Sequence, residues 1–265
     1  MKAYNRIDKK IHQLSQVIAK VNRSLVPEKE DDSHTNLYFE SIERRIYGRW
    51  FQQNDTKYIL ALDLYDFTFQ LIADNKEIIK QFQIEGKNLA KIETEIADHF
   101  KTLNIRTDGL MKKLHFEIPA YAFIDSVWVK PDNIEMSKWL TYRSLANEIC
   151  MLVLGLAQAK SEIRIWPHHF DTGIYCKVKS KLGVGFGLAM EDEMVNDSYF
   201  YISAYPEDYK IEYDNLPKGN WAWKINENYK GAILTLKELD NRPYEEKRSV
   251  LIDYITTTYS WIIRQ

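Results

Sequence analysis

The sequence predicts an α+β fold, mostly antiparallel sheet with packed helices, and three observations carry that expectation. Short runs rich in β-branched and aromatic residues come in two series, one in each half of the chain. Each series gives way to apolar residues at helical spacing. The alternation of strands and helices is too short for βαβ units, which argues against a Rossmann-type sheet. Because each half reads as strands followed by a helix, the order also suggests an internal duplication with halves 30–110 and 160–265. His34-Thr35-Asn36 and His169-Phe170-Asp171 share a His-x-Asx spacing before a strand in each half.

Residues 5–25 open the chain as an amphipathic helix. Ile7, Ile11, Leu14, Ile18, Val21 and Leu25 alternate spacings of four and three, so they share one stripe, and Pro27 ends the helix. The helix either docks on the domain or carries an oligomer contact. A polar loop over 28–35 leads to an antiparallel meander of four strands: Ile46 to Phe51, Tyr58 to Leu64, Phe67 to Ala73 and Ile78 to Ile84. Asn54-Asp55 and Asp74-Asn75 supply its turns. A helix follows over 88–104, with Leu89, Ile92, Ile96 and Phe100 on one face, then a strand from Leu114 to Ile118. Ser137 is the expected cap of a helix that runs to about Ala159, apolar on nearly all sides and therefore central. The second series of strands covers Phe170 to Val178, Val184 to Met190, Tyr199 to Ala204, Trp221 to Ile225 and Ala232 to Leu236, and a final helix covers 244–263.

The chain has 265 residues, which at about 150 per domain fits one large domain or two small ones. The reading is a docked helix over 1–26 and a single α+β domain over 27–265. With only 10 Gly and 7 Pro, low-complexity linkers are excluded for most of the chain. Thirty-six basic and 38 acidic side chains give a net charge of -2, without the basic face that nucleic acid needs. The one short basic stripe, Lys177, Lys179 and Lys181, reads as a solvated strand face. Cys150 and Cys176 make no disulfide framework and fit a reducing compartment. Met1 to Lys20 holds no continuous apolar core of the signal-peptide kind. The longest apolar run, Ile149 to Ala157, is about nine residues against the roughly 20 of a membrane span. These features predict a soluble, cytoplasmic protein that engages neither nucleic acid nor membrane.

The segment best suited to chemistry is Trp166-Pro167-His168-His169-Phe170-Asp171. Pro167 belongs at a strand start, and alternation from there sends His168 and Phe170 toward the core and His169 and Asp171 to the other face. On that face Asp171 could orient His169 as a general base. Alternatively, His168, His169, Asp171 and Glu193 of the triplet Glu191-Asp192-Glu193 could ligate a divalent metal. The competing reading is a buried polar pair that satisfies its own hydrogen bonds.

Gly183-Val184-Gly185-Phe186-Gly187 is no nucleotide fingerprint, since its glycines alternate within a strand rather than opening a helix. It gives a strand with one bare face. Tyr199, Tyr201, Ser203 and Tyr205 form a row on the strand that follows, and their rings can lie over the glycines or wall a small-molecule pocket. Candidate ligand contacts are therefore Gly185, Gly187, Tyr201 and Tyr205, together with His34 and the anion partner Arg49. No nucleophile elbow, P-loop, zinc-finger spacing or EF-hand loop occurs.

Ser33-His34-Thr35-Asn36-Leu37, Trp166 to Asp171, Gly187 to Glu193 and Tyr199 to Pro206 together resemble an uncharacterised bacterial domain family. That family of unknown function is marked by a W-P-H-H-F-D segment, a glycine-rich strand, an acidic turn and a tyrosine-proline strand. The resemblance covers about residues 30–240. It implies one compact domain and a shared site around His168, His169 and Asp171, but no reaction. This chain departs from the family at the turn, which reads Met190-Glu191-Asp192-Glu193 without the usual glycine.

Two functional expectations follow. One is a small-molecule-binding, metal-dependent hydrolase or isomerase with its site around the W-P-H-H-F-D segment. The other is a non-enzymatic binding or protein-interaction module in which that segment is a structural element and the 5–25 helix can serve an oligomer.

Overall fold

A computed structural model describes residues 1–265. The fold is α+β with two antiparallel sheets, as the strand and helix patterning predicts. The chain divides into two compact units. The N-terminal unit takes Arg6–Leu140 together with Ile165–Phe170; the C-terminal unit takes Met1–Asn5, Thr141–Arg164 and Asp171–Gln265. No helix is long and apolar enough to cross a membrane.

Helix α1 (Lys2–Leu25) carries the predicted stripe, and Ile7, Ile11, Leu14, Ile18 and Val21 are all buried. The enclosure goes much further than one stripe: every residue from Ile11 to Ala19 is buried, polar ones included. The apolar stripe is thus covered within the chain itself. In the N-terminal unit β1 (Tyr38–Glu40), β2 (Arg45–Tyr47), β3 (Phe51–Gln53), β4 (Thr56–Asp63), β5 (Thr68–Ala73) and β6 (Ile78–Gln83) form one sheet. Its order is β1-β2-β4-β5-β6, with β3 paired to β4. Asn54 takes a left-handed backbone (φ 52°) at the β3–β4 turn, as an Asn there readily does. Gly48, just after β2, is required by packing: a Cβ there would meet Asn22 Oδ1 at 2.5 Å and Ile18 Cγ2 at 2.6 Å. Helix α2 (Leu89–Thr102) starts at Asn88, whose Oδ1 accepts from the Lys91 amide at 3.0 Å.

Three local expectations need correction. Leu114 to Ile118 forms no strand. Arg23 takes the carbonyl oxygens of Lys112 and Lys113 just before it, which ties the approach to this segment to α1, and Pro119 just after it has no amide donor to extend a strand. Helix α3 (Asn133–Ala157) begins before Ser137: Asp132 Oδ1 accepts from the amides of Ile134 and Glu135, both at 2.9 Å, and makes the cap. Nor is α3 the enclosed helix. Trp139, Arg143, Ala146, Cys150 and Val153 are buried, but Met151 is 62% exposed, so α3 buries one side and α1 is the enclosed helix.

In the C-terminal sheet the order is β11-β12-β10-β9-β8-β7, from β7 (Arg164–Ile165), β8 (Thr172–Lys179), β9 (Leu182–Ala189), β10 (Tyr199–Pro206), β11 (Ala222–Ile225) and β12 (Lys230–Thr235). A single turn, α4 (Leu236–Leu239), and helix α5 (Tyr244–Ile262) complete the unit. Each sheet has six strands, but β11 lies outside β12 here, whereas the N-terminal sheet is a plain meander. One face of the C-terminal sheet is core: Ile174, Val184, Phe186, Leu188, Phe200, Ile202 and Leu234 are buried on alternate positions. Tyr254 of α5 donates from its hydroxyl to the Ala232 carbonyl at 2.6 Å. The opposite face carries the glycines and tyrosines.

Candidate functional site: the tyrosine-covered glycine face

The antiparallel register puts Gly173, Gly187 and Tyr201 in one row, and Tyr175, Gly185, Ser203 and Gly231 in the next. The glycines leave the backbone bare and the tyrosines fill that space. A Cβ on Gly187 would lie 2.8 Å from the Tyr201 hydroxyl, and one on Gly185 would lie 3.0 Å from the Tyr205 ring. Tyr175 covers Gly183 in the same way, and Tyr229 with Ser203 covers Gly231. The rings of Tyr175 and Tyr205 meet edge to face, with centroids 5.7 Å apart and planes at 72°. They are 46% and 48% exposed, while Tyr199 is buried and Tyr201 and Tyr229 are partly buried.

Two carboxylates serve this face. The Tyr201 hydroxyl donates to Asp171 Oδ2 at 2.7 Å, and the Tyr199 hydroxyl donates to Asp192 Oδ2 at 2.7 Å. Burial, reinforced by those carboxylates, pushes the phenols of Tyr199 and Tyr201 well up; burial also raises Tyr205 and Tyr229. Ser203 faces Tyr205 and Tyr229 and works against that shift. Neither contact meets hydrogen-bond geometry, so Ser203 Oγ and the Tyr229 hydroxyl are buried with no hydrogen-bond partner. The Cys150 thiol is likewise pushed up, by burial and then by Asp171, and Cys176 by burial. At the start of β8, Thr172 Oγ1 accepts from Arg143 Nη1 at 2.7 Å, and both residues are buried.

These shifts have a definite sign. A phenol whose folded pKa lies above its ordinary value of 10.0 contributes stability that is fully present below pH 10 and is lost as pH rises toward the folded value. We expect stability to hold up to about pH 10 and fall above it. In an alkaline titration, phenolate absorbance from Tyr199, Tyr201 and Tyr229 should appear only together with unfolding. Their titration in the folded protein alongside the exposed tyrosines would contradict this.

The W-P-H-H-F-D segment does not begin a strand. Pro167 to His169 form a turn, the Phe170 amide donates to the Trp166 carbonyl at 2.6 Å, and Phe170 has φ 55°. The strand begins only at Thr172, so the alternation expected from His168 onward does not hold. His169 is exposed on the turn, and its ring lies against that of His168, with centroids 4.3 Å apart. His168 in turn meets Phe116.

What fixes the turn is α1, within the N-terminal unit. The Pro167 carbonyl accepts from His12 Nε2 and from Gln16 Nε2, both at 2.8 Å, and the His12 ring stacks on Phe170 at 5.1 Å. Since a carbonyl only accepts, Nε2 of His12 carries a proton, and its Nδ1 pairs with the Tyr121 hydroxyl 2.8 Å away.

The predicted site residues thus fall into separate groups. Asp171, Gly185, Gly187, Tyr201 and Tyr205 share the tyrosine face of the C-terminal unit. Glu193 is exposed on the turn after β9, where Asp192 is occupied by Tyr199 and by the Val195 amide. His168 and His169 belong to the N-terminal unit. No three His, Cys, Asp or Glu side chains gather into a metal-holding group.

His34 and Arg49 also lie in the N-terminal unit, in the loop around Asn22. The buried His34 accepts from the Lys29 amide at 3.3 Å, and Arg49 Nε donates to the Asn36 carbonyl at 3.0 Å. Asn22 Oδ1 accepts from the Arg49 amide at 2.8 Å, while its Nδ2 donates to the carbonyls of Thr35 and Asn36. The sequence reading missed His12, Gln16, Asn22, Arg143 and Tyr229. A polar row at spacing four, Asp8, His12 and Gln16, was the available signal, but such a row reads as solvated helix surface. No family model, no curated protein and no solved structure matches the chain.

Proposed function

We propose that the protein is a binding module rather than a catalyst, and that its small-molecule ligand meets the tyrosine face of the C-terminal sheet. The observation that carries this reading is the pair Tyr175 and Tyr205. Each ring is backed by the bare backbone of β9 and is about half exposed, so aromatic area is held ready on a rigid strand. Such preorganisation reduces the ordering cost of binding.

The protonation states favour holding over reacting. A general acid or base works best with a pKa near the operating pH. Here the phenols of Tyr199, Tyr201, Tyr205 and Tyr229 and both thiols are moved upward, away from neutrality. A divalent-metal hydrolase or isomerase would need a gathered ligand set, and none is assembled. The W-P-H-H-F-D segment is in this reading a structural element. Two free, buried thiols fit a cytoplasmic, reducing location, and the likeness to an uncharacterised bacterial family is consistent with a reading that names no reaction.

The test is a thermal-shift screen of small molecules against the wild type, Tyr205→Ala and His169→Ala. We expect a ligand that raises the wild-type Tm, acts equally on His169→Ala, and has no effect on Tyr205→Ala. His169→Ala alone should lie within about 0.5 kcal/mol of wild type, as surface substitutions usually do. Finding only ligands that ignore Tyr205, or a ligand whose effect disappears with His169, would overturn the proposal.

A further inference from the structure

We infer that the ligand of this face is an uncharged, polyhydroxylated molecule, a sugar residue of a neutral saccharide; the inference rests on the binding reading above. Three observations select that chemistry. Tyr175 and Tyr205 form a corner, with planes at 72° and centroids 5.7 Å apart, each half exposed. A sugar ring offers apolar C–H faces that pack on one such ring, and hydroxyls at its rim.

Beside the corner lie two hydroxyls without hydrogen-bond partners, Ser203 Oγ and the Tyr229 hydroxyl. They adjoin one another over Gly231, where a Cβ would collide with both, and Ser203 also faces the Tyr205 phenol. Buried polar groups of this kind normally find a partner, and a polyol can both donate to and accept from a hydroxyl. Gly231 has no side chain, which lets the two hydroxyls come together over the backbone here.

Charge points the same way, because several of the charged groups along this face are already engaged. Asp171 and Asp192 accept from Tyr201 and Tyr199. Lys177 pairs with Glu207, Lys181 with Asp208 at 2.5 Å, and the Lys224 ammonium donates to the Met194 carbonyl. A neutral sugar would leave these contacts in place.

The test titrates the full-length protein, by calorimetry, with neutral disaccharides (maltose, cellobiose, mannobiose and chitobiose). Parallel titrations use glucose 6-phosphate and glucuronate as charged sugars, and short neutral peptides and planar aromatic compounds as other ligand classes. At least one neutral disaccharide is expected to saturate the protein. Tyr205→Ala should weaken it by about tenfold or more, the loss of one stacking face. Ser203→Ala should weaken it by about fivefold, the loss of one hydrogen bond. Tyr65→Ala, an exposed tyrosine of the N-terminal unit, should leave it unchanged. Tyr205→Phe keeps the ring and should bind within about threefold of wild type, which controls for misfolding of the alanine variant.

Tighter binding of the charged sugars, or saturation that ignores Tyr205, overturns the inference. Tyr205-dependent binding seen only with peptides or aromatic compounds overturns the sugar assignment and leaves the binding reading standing. Absence of any Tyr205-dependent binding overturns both.

Discussion

Replacing His12 with alanine is expected to lower the unfolding free energy by about 3–4 kcal/mol, the range of a large buried side chain whose removal also strands polar partners. His12 is buried, and its two ring nitrogens reach the Pro167 carbonyl and the Tyr121 hydroxyl at 2.8 Å each. Its ring also stacks on Phe170. Alanine would remove all three contacts and open a cavity against Phe170. Gln16 would still reach Pro167, so the turn should loosen rather than vanish. Urea unfolding followed by far-UV circular dichroism measures the effect. His169→Ala in the same turn is the comparison: a similar small change for both residues would refute the role assigned to His12.

Gly187→Ala is expected to cost about 3 kcal/mol and to expose the tyrosine face. The added Cβ would lie 2.6 Å from the Thr172 carbonyl oxygen and 2.8 Å from the Tyr201 hydroxyl. The first clash is with backbone across the β8–β9 pair and cannot be relieved by rotating a side chain. The second displaces the hydroxyl that donates to Asp171, so a charge-assisted hydrogen bond is lost as well. The same substitution at Gly155, within α3 and with nothing within 4 Å, is expected to be neutral or stabilising by up to about 1 kcal/mol. Comparable denaturation midpoints for the two variants would sink the account of the glycine row.

The elements were legible where local chemistry alone decides them. Alternation placed Val184, Phe186 and Leu188 in the core and the glycines opposite, and Asn54 marked its turn. The tyrosine row over the glycine row could also be read, because both have period two and lie on neighbouring strands. Legibility failed where a distant segment supplies the deciding partner. Alternation through His168 and Phe170 looked like a strand, but α1 holds that segment as a turn from more than 150 residues away. Leu114 to Ile118 has strand composition, yet Arg23 takes the nearby carbonyls. Burial of Asp8, His12 and Gln16 was hidden for the same reason: nothing in a helical spacing says that its polar side will meet a carbonyl or an indole, as Asp8 meets Trp139 at 2.7 Å.

The hold of α1 on the Pro167 turn bears on how the chain is made. His12 and Gln16 leave the ribosome some 150 residues ahead of their acceptor. At the usual 5–20 residues per second, those two side chains wait roughly 8 to 30 seconds for it. Synthesis halted at Leu140 would yield nearly all of the N-terminal unit with the carbonyl that anchors its first helix still missing. That unit is therefore completed only after the ribosome has passed Phe170 and begun the strand that follows.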